Sequence, residues 1–164
     1  MSGIIGGAGS KSGVIGYEFN EPRFNAGGIS GGVTVNQSTW TKIPFNSGVA
    51  STDAYDSHNC YDTTNYRFLP NRSGHYFIAH FGGMDDLDDT KTMELAIYKN
   101  GSLRITNRVD SGASAGNNTS NAIGSIYLNG TTDYVEAWLW HNSPNTGYIG
   151  DYKYCAFFGY RIGN

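Results

Sequence analysis

Residues 67–101 read RFLPNRSGHYFIAHFGGMDDLDDTKTMELAIYKNG, and two strand-like runs within them decide the fold class. Successive side chains of an extended chain point to opposite faces, so alternation shows which faces each run buries. In residues 75–81 both faces are apolar, with Tyr76 and Ile78 on one and Phe77, Ala79 and Phe81 on the other. In residues 92–98 only one face is clearly apolar: Met93, Leu95 and Ile97, against Glu94, Ala96 and Tyr98. A strand apolar on both faces is covered twice, whereas a strand apolar on one face has water on the other. The contrast predicts two sheets, one of them covered also from outside, most simply by another subunit.

The rest of the chain agrees with an all-β reading. Its 164 residues suffice for one domain with a real core. Gly (23), Tyr (12) and Phe (8) are abundant, and charged residues make up only 15%, below the roughly 25% of ordinary soluble domains. Few Lys, Glu and Arg beside many Gly, Thr, Asn and aromatics disfavour helix and favour strand. The net charge of -3 supplies no pull toward nucleic acid or an anionic membrane. No run approaches the roughly 20 apolar residues of a membrane helix. The glycine-rich N-terminus lacks the charged start and apolar stretch of a secretory signal. Cys60 and Cys155 read as two semi-buried thiols before they read as a disulfide, and their pairing stays open.

Residues 1–20 form an extended glycine-rich arm in this reading, and 21–164 the head domain. Within the arm, Ile4, Ile5, Val14 and Ile15 make two small apolar hooks suited to docking on another protein. Strands are predicted at 33–35, 39–45, 66–69, 75–81, 92–98, 103–108, 122–128, 134–141 and 152–162, with a long polar loop at 46–64. Asn100–Gly101 favours a type I′ hairpin joining 92–98 to 103–108, and Asn129–Gly130 repeats the signal. Residues 152–162 are aromatic on both faces and should neighbour 75–81 in the doubly covered sheet. Short strands at this spacing point to a sandwich or jelly roll.

The candidate chemistry is sparse. Asp85, Asp86, Asp88 and Asp89 cluster between the two opening strands, and hard oxygen ligands of this kind suit calcium. The spacing is not that of an EF-hand, so an ordinary charged turn is the stronger expectation. Tyr134, Trp138 and Trp140 share the outward face of one strand, as a ligand face that stacks on sugar would; packing under the 46–64 loop or against a neighbouring subunit is the stronger expectation for most of the three. His58, His75, His80 and His141 are scattered, and no GxSxG, HExxH or phosphate-cradling loop is present. No enzyme, and no cofactor other than calcium, is expected.

The runs NRSGHYFIAHFGG, ELAIYKNGS, IYLNGTTDYVEAWLWHN and FFGYRIG resemble the globular head of the first complement component, a tumour-necrosis-factor-like jelly roll. The resemblance runs from about Phe24 to Ile162. It rests on Gly74, Tyr76 and Phe77, on Tyr98–Gly101, on Asp133–Val135, and on Phe157, Gly159 and Tyr160. It implies an all-β two-sheet jelly-roll sandwich assembled as a homotrimer around its inner sheets. Phe24, Tyr76, Phe77, Phe81, Tyr154, Phe158 and Tyr160 would then form the trimer interface. The arm, with GSKSGVIG, is similar to segments that open virion proteins of bacteriophages, and no collagen-like stalk is present. The expectation is therefore a non-enzymatic structural virion protein of a bacteriophage, exposed on the capsid or tail. Its arm would bind other virion proteins, and its head would serve as decoration, short fibre or adhesion tip toward a host-surface glycan or protein. The alternative is a free-standing carbohydrate- or protein-binding module of complement-head type.

Overall fold

The computed structural model describes residues 21–29, 33–46, 54–113, 116–144, 147–149 and 155–164. The hooks Ile4, Ile5, Val14 and Ile15, and also Tyr154, lie outside the described residues. Among those described, the chain is strand and turn throughout: β1 (Arg23–Asn25), β2 (Val33–Val35), β3 (Thr41–Lys42), β4 (Tyr55–Asp56), β5 (Tyr61–Asp62), β6 (Arg67–Phe68), β7 (Gly74–Leu87), β8 (Thr92–Lys99), β9 (Ser102–Asp110), β10 (Gly116–Leu128), β11 (Val135–His141), β12 (Gly147–Ile149) and β13 (Ala156–Gly163).

The strands form two antiparallel sheets. The first has the order β2-β12-β7-β13-β1-β4, with β10 on the other side of β7. The second has the order β5-β6-β11-β8-β9, with β3 also beside β11. The two strands apolar on both faces are neighbours as expected, Phe77 facing Tyr160 and Ala79 facing Phe158 across the β7–β13 pair. The strand apolar on one face, β8, lies in the other sheet between β11 and β9. Between the sheets, Tyr76, Ile78, Met93, Leu95, Ile97, Leu139 and Phe157 are fully buried. Phe24 packs there too, stacked on Phe68 at 4.2 Å and edge-on to Phe157 at 5.0 Å.

The β8–β9 hairpin turns as expected: Asn100 and Gly101 both have positive φ, 52° and 75°, as a type I′ turn requires. The second Asn-Gly behaves differently. Only Gly130 has positive φ, and the Asn129 side-chain oxygen accepts N–H bonds from Thr131, Thr132 and Asp133. The result is a wider turn that carries the chain from the first sheet to the second.

Three expectations are corrected. The acidic stretch is a loop only in part: β7 runs to Leu87 and holds Asp85 and Asp86 within the strand, which leaves Asp88 and Asp89 in the connection to β8. Gly83 stays within the strand, where glycine admits a neighbour. A methyl on Gly83 would lie 2.6 Å from the carbonyl oxygen of Asn118 on β10. Correspondingly, β10 begins at Gly116 rather than at 122, because its polar start pairs with the far half of β7. Finally, the stretch read as a long loop contains β4 and β5, organised by Asp56, whose carboxylate accepts N–H bonds from Cys60 and Tyr61 at 2.9 and 2.8 Å.

Candidate functional site

Each sheet has an outward face, and aromatic side chains occupy both. On the first sheet, alternation along β7 turns Phe77, Ala79 and Phe81 away from the core, and β13 presents Phe158 and Tyr160 beside them. Phe81 and Phe158 stack at 5.9 Å with planes 4° apart, and Phe77 stacks on Tyr160 at 5.3 Å. From β10, Ile123 sits across from Ala79 and Tyr127 across from His75. Tyr160, Ile123 and Tyr127 are 46%, 40% and 48% exposed, which makes this a continuous apolar surface on the two central strands and one flanking strand. Such patches on soluble proteins mark interaction sites.

Of the residues assigned to a trimer interface, Phe77, Phe81, Phe158 and Tyr160 share this face. Phe24 and Tyr76 do not. Both are 0% exposed and point between the sheets, and the Tyr76 hydroxyl donates to the Arg72 carbonyl at 2.7 Å. The alternation had already put Tyr76 opposite Phe77, so its place in the core follows from the pleat. For Phe24 the sequence offered no second strand by which to choose a face.

On the second sheet, Trp138 and Trp140 of β11 point outward, as alternation predicted. Tyr134 does not join them. It precedes β11 and lies beneath the Arg67 guanidinium, 4.8 Å from the ring centre. Two other rings complete the group: Tyr98 of β8 stacks on Trp138 at 4.8 Å, and Trp40, just before β3, lies 5.7 Å from Tyr98 and 6.4 Å from Trp140. All four rings are half-buried. Trp40 reaches the group because β3 pairs with β11, Lys42 facing Trp138. Its outward direction was legible in the alternation of 39–45, but its partner, far along the chain, was not.

Charged groups fill the squares between the rings. Trp140 faces Glu94 and Tyr98 faces Glu136 across the β8–β11 pair. Glu136 bonds to Lys42 at 3.1 Å and accepts the Trp138 indole N–H at 3.3 Å. Glu94 accepts from the Thr106 hydroxyl at 3.3 Å. Burial, with the nearby Glu94 charge added, pushes the Tyr98 hydroxyl pKa up.

Asp88 accepts a hydrogen bond from the Ser143 hydroxyl, and its backbone carbonyl accepts one from Ser111. Asp89 is exposed in the following turn, and the Asp86 side chain lies outside the description. Among the described residues, no three His, Cys, Asp or Glu side chains are grouped to hold a metal ion. The histidines are likewise separate. His141, fully buried, bridges the Val35 carbonyl (2.7 Å) and the Ser143 N–H (3.2 Å), and His80 stands alone in the core. Cys60 and Cys155 are buried and not joined in a disulfide, and burial pushes the Cys60 thiol pKa up.

The sequence matches no family model and no curated protein. The fold has solved counterparts. The structure of Eiger TNF from S. frugiperda superimposes with a TM-score of 0.61 at 10% identity, over 88% of this chain and 92% of that one. Murine APRIL, crystallised at pH 5.0, gives a TM-score of 0.56 at 12% identity, over 87% of this chain and 100% of that one. The two packed antiparallel sheets, their strand order and these superpositions together make this chain a tumour-necrosis-factor-like jelly roll.

Proposed function

We propose that this protein is a non-enzymatic structural component of a bacteriophage virion, a homotrimer of jelly-roll heads held to capsid or tail by its N-terminal arm. The outward face of the first sheet carries the reading. Phe77, Phe81, Phe158 and Tyr160, with Ile123 and Tyr127, place on the two central strands and their β10 neighbour an apolar surface that water disfavours. Packed around a threefold axis, as the sequence resemblance implies, that surface becomes interior. The second sheets then face outward, and three heads on one stem strengthen weak contacts with a host surface by avidity. The apolar hooks Ile4, Ile5, Val14 and Ile15 are the expected anchor.

Light scattering at micromolar concentration tests the assembly. A trimer is expected, and a monomer overturns the role given to the first sheet. Deleting residues 2–16 should leave the trimer intact and abolish incorporation into particles. If the truncated protein still incorporates, the anchor is elsewhere.

A second reading, a free-standing binding module of complement-head type, is favoured by the aromatic group on the second sheet. Binding of a ligand by the head in the absence of any particle association would move that reading ahead.

A further inference from the structure

Four large aromatic rings on the outward face of an outer sheet are unusual, because alternation normally gives that face to polar side chains. Here Trp40, Tyr98, Trp138 and Trp140 take it, and they include all 3 tryptophans of the chain. The rings pack on one another and stay half-buried, so each commits part of its surface and leaves part to solvent. Ala96 lies directly across from Trp138, a small residue that forms a floor between that indole and Thr106. Carboxylates alternate with the rings: Glu94 beside Trp140, Glu136 beside Tyr98.

We propose that this face binds a neutral pyranoside glycan, with sugar C–H faces stacked on Trp138 and Trp140 and sugar hydroxyls donating to Glu94. Apolar ring surface interleaved with hydrogen-bond acceptors matches a pyranose, which has apolar faces and a hydroxyl rim. Glu94 and Glu136, within the ring group, oppose acidic sugars, while Arg104 and Arg108 lie at its β9 edge. Of the cations nearby, Lys42 is bonded to Glu136 and to the Asn65 carbonyl at 3.0 Å, and Arg108 turns to Thr92 and Asp110. Glu94, across from Arg108, accepts from the Thr106 hydroxyl through one oxygen, and a carboxylate has acceptor capacity beyond one such bond for a ligand. The rings end at the exposed polar strand β9, with Arg104, Thr106, Asn107 and Arg108. This inference deepens the host-contact reading above and rests on its orientation, first sheet inward and second sheet outward.

Because every tryptophan lies in the group, intrinsic tryptophan emission reads this face alone. The full chain is titrated to millimolar concentration with neutral hexasaccharides built on glucose, galactose, mannose or N-acetylglucosamine, and with sialyllactose as the acidic probe. A saturable emission change is expected with at least one neutral sugar and none with sialyllactose. Trp138→Ala should weaken that binding about tenfold or more. Glu94→Lys, which removes an acceptor from a half-exposed position without touching the core, should weaken it several-fold. No saturable change with any neutral sugar, unchanged affinity in both variants, or a defined protein ligand occupying this face in place of glycan overturns the proposal. Light scattering on the same samples reads the trimer separately, so loss of glycan binding by an intact trimer condemns this inference alone.

Discussion

His80 is the side chain on which pH acts most directly. It is 0% exposed, its Nδ1 donates to the Ala96 carbonyl at 3.3 Å, and its Nε2 has no partner among the described residues. The groups facing it are the Phe45 and Phe157 rings, at 5.6 and 6.3 Å, and the β8 backbone. Burial therefore pulls its pKa from 6.5 down to about 4, with the Ala96 bond opposing weakly. The unfolded chain takes up a proton in that window that the folded chain refuses, so its stabilising contribution is complete above 6.5 and is lost as pH falls toward 4. Going from about pH 7.5 to about pH 4.5 should cost on the order of 2 kcal/mol through this residue. Urea denaturation at both values measures it against His80→Leu, which should lose less over the same interval. Equal losses would show that the imidazole is not the sensor.

At the scale of elements, the pairing of β7 with β10 decides how far the first sheet extends. Gly83 sits where β10 comes closest, and the atom a methyl would meet, the Asn118 carbonyl oxygen, belongs to the backbone and cannot swing away. Gly83→Ala should destabilise by about 1–3 kcal/mol, as overpacking does. Gly116, at the start of β10, has open space where a methyl would go, and Gly116→Ala should change stability by no more than about 0.5 kcal/mol. Thermal unfolding of both variants is the measurement, and similar losses at the two sites would refute the close-approach argument. A double glycine and a polar Asn-Asn-Thr-Ser run read as breaks by local rules. They are strand because each runs beside the other, which no local window reveals.

For the whole molecule, the division between core and outward aromatics separates two kinds of failure. Phe24 stacks on Phe68 and Tyr61 within the core, so Phe24→Ala should cost about 3–5 kcal/mol and impair folding itself. Phe158 stacks on Phe81 on the outward face. Phe158→Lys should leave the circular dichroism spectrum and the folded head intact while converting the proposed trimer to monomer. Circular dichroism and light scattering together distinguish them, and a Phe158→Lys variant that stays trimeric would remove that face from the interface.

The alternation in residues 67–101 was enough to predict two sheets, the two-sided character of β7, the separate sheet of β8 and the turn at Asn100–Gly101, and the aromatic alternation of 152–162 added the two-sided β13. These follow from side-chain period and backbone preference, which act over a few neighbouring residues and are therefore written locally. The outward direction of Trp40, Trp138 and Trp140 was legible for the same reason. Their convergence was not, because it depends on β3 lying beside β11 and β8 on its other edge, contacts between segments remote in the chain. The same holds for Phe24, whose burial is set by Phe68 and Phe157, and for Asp85 and Asp86, which lie in the part of β7 that runs beside the start of β10. Local pattern determined which face each side chain takes, and tertiary pairing alone decided what stands beside it.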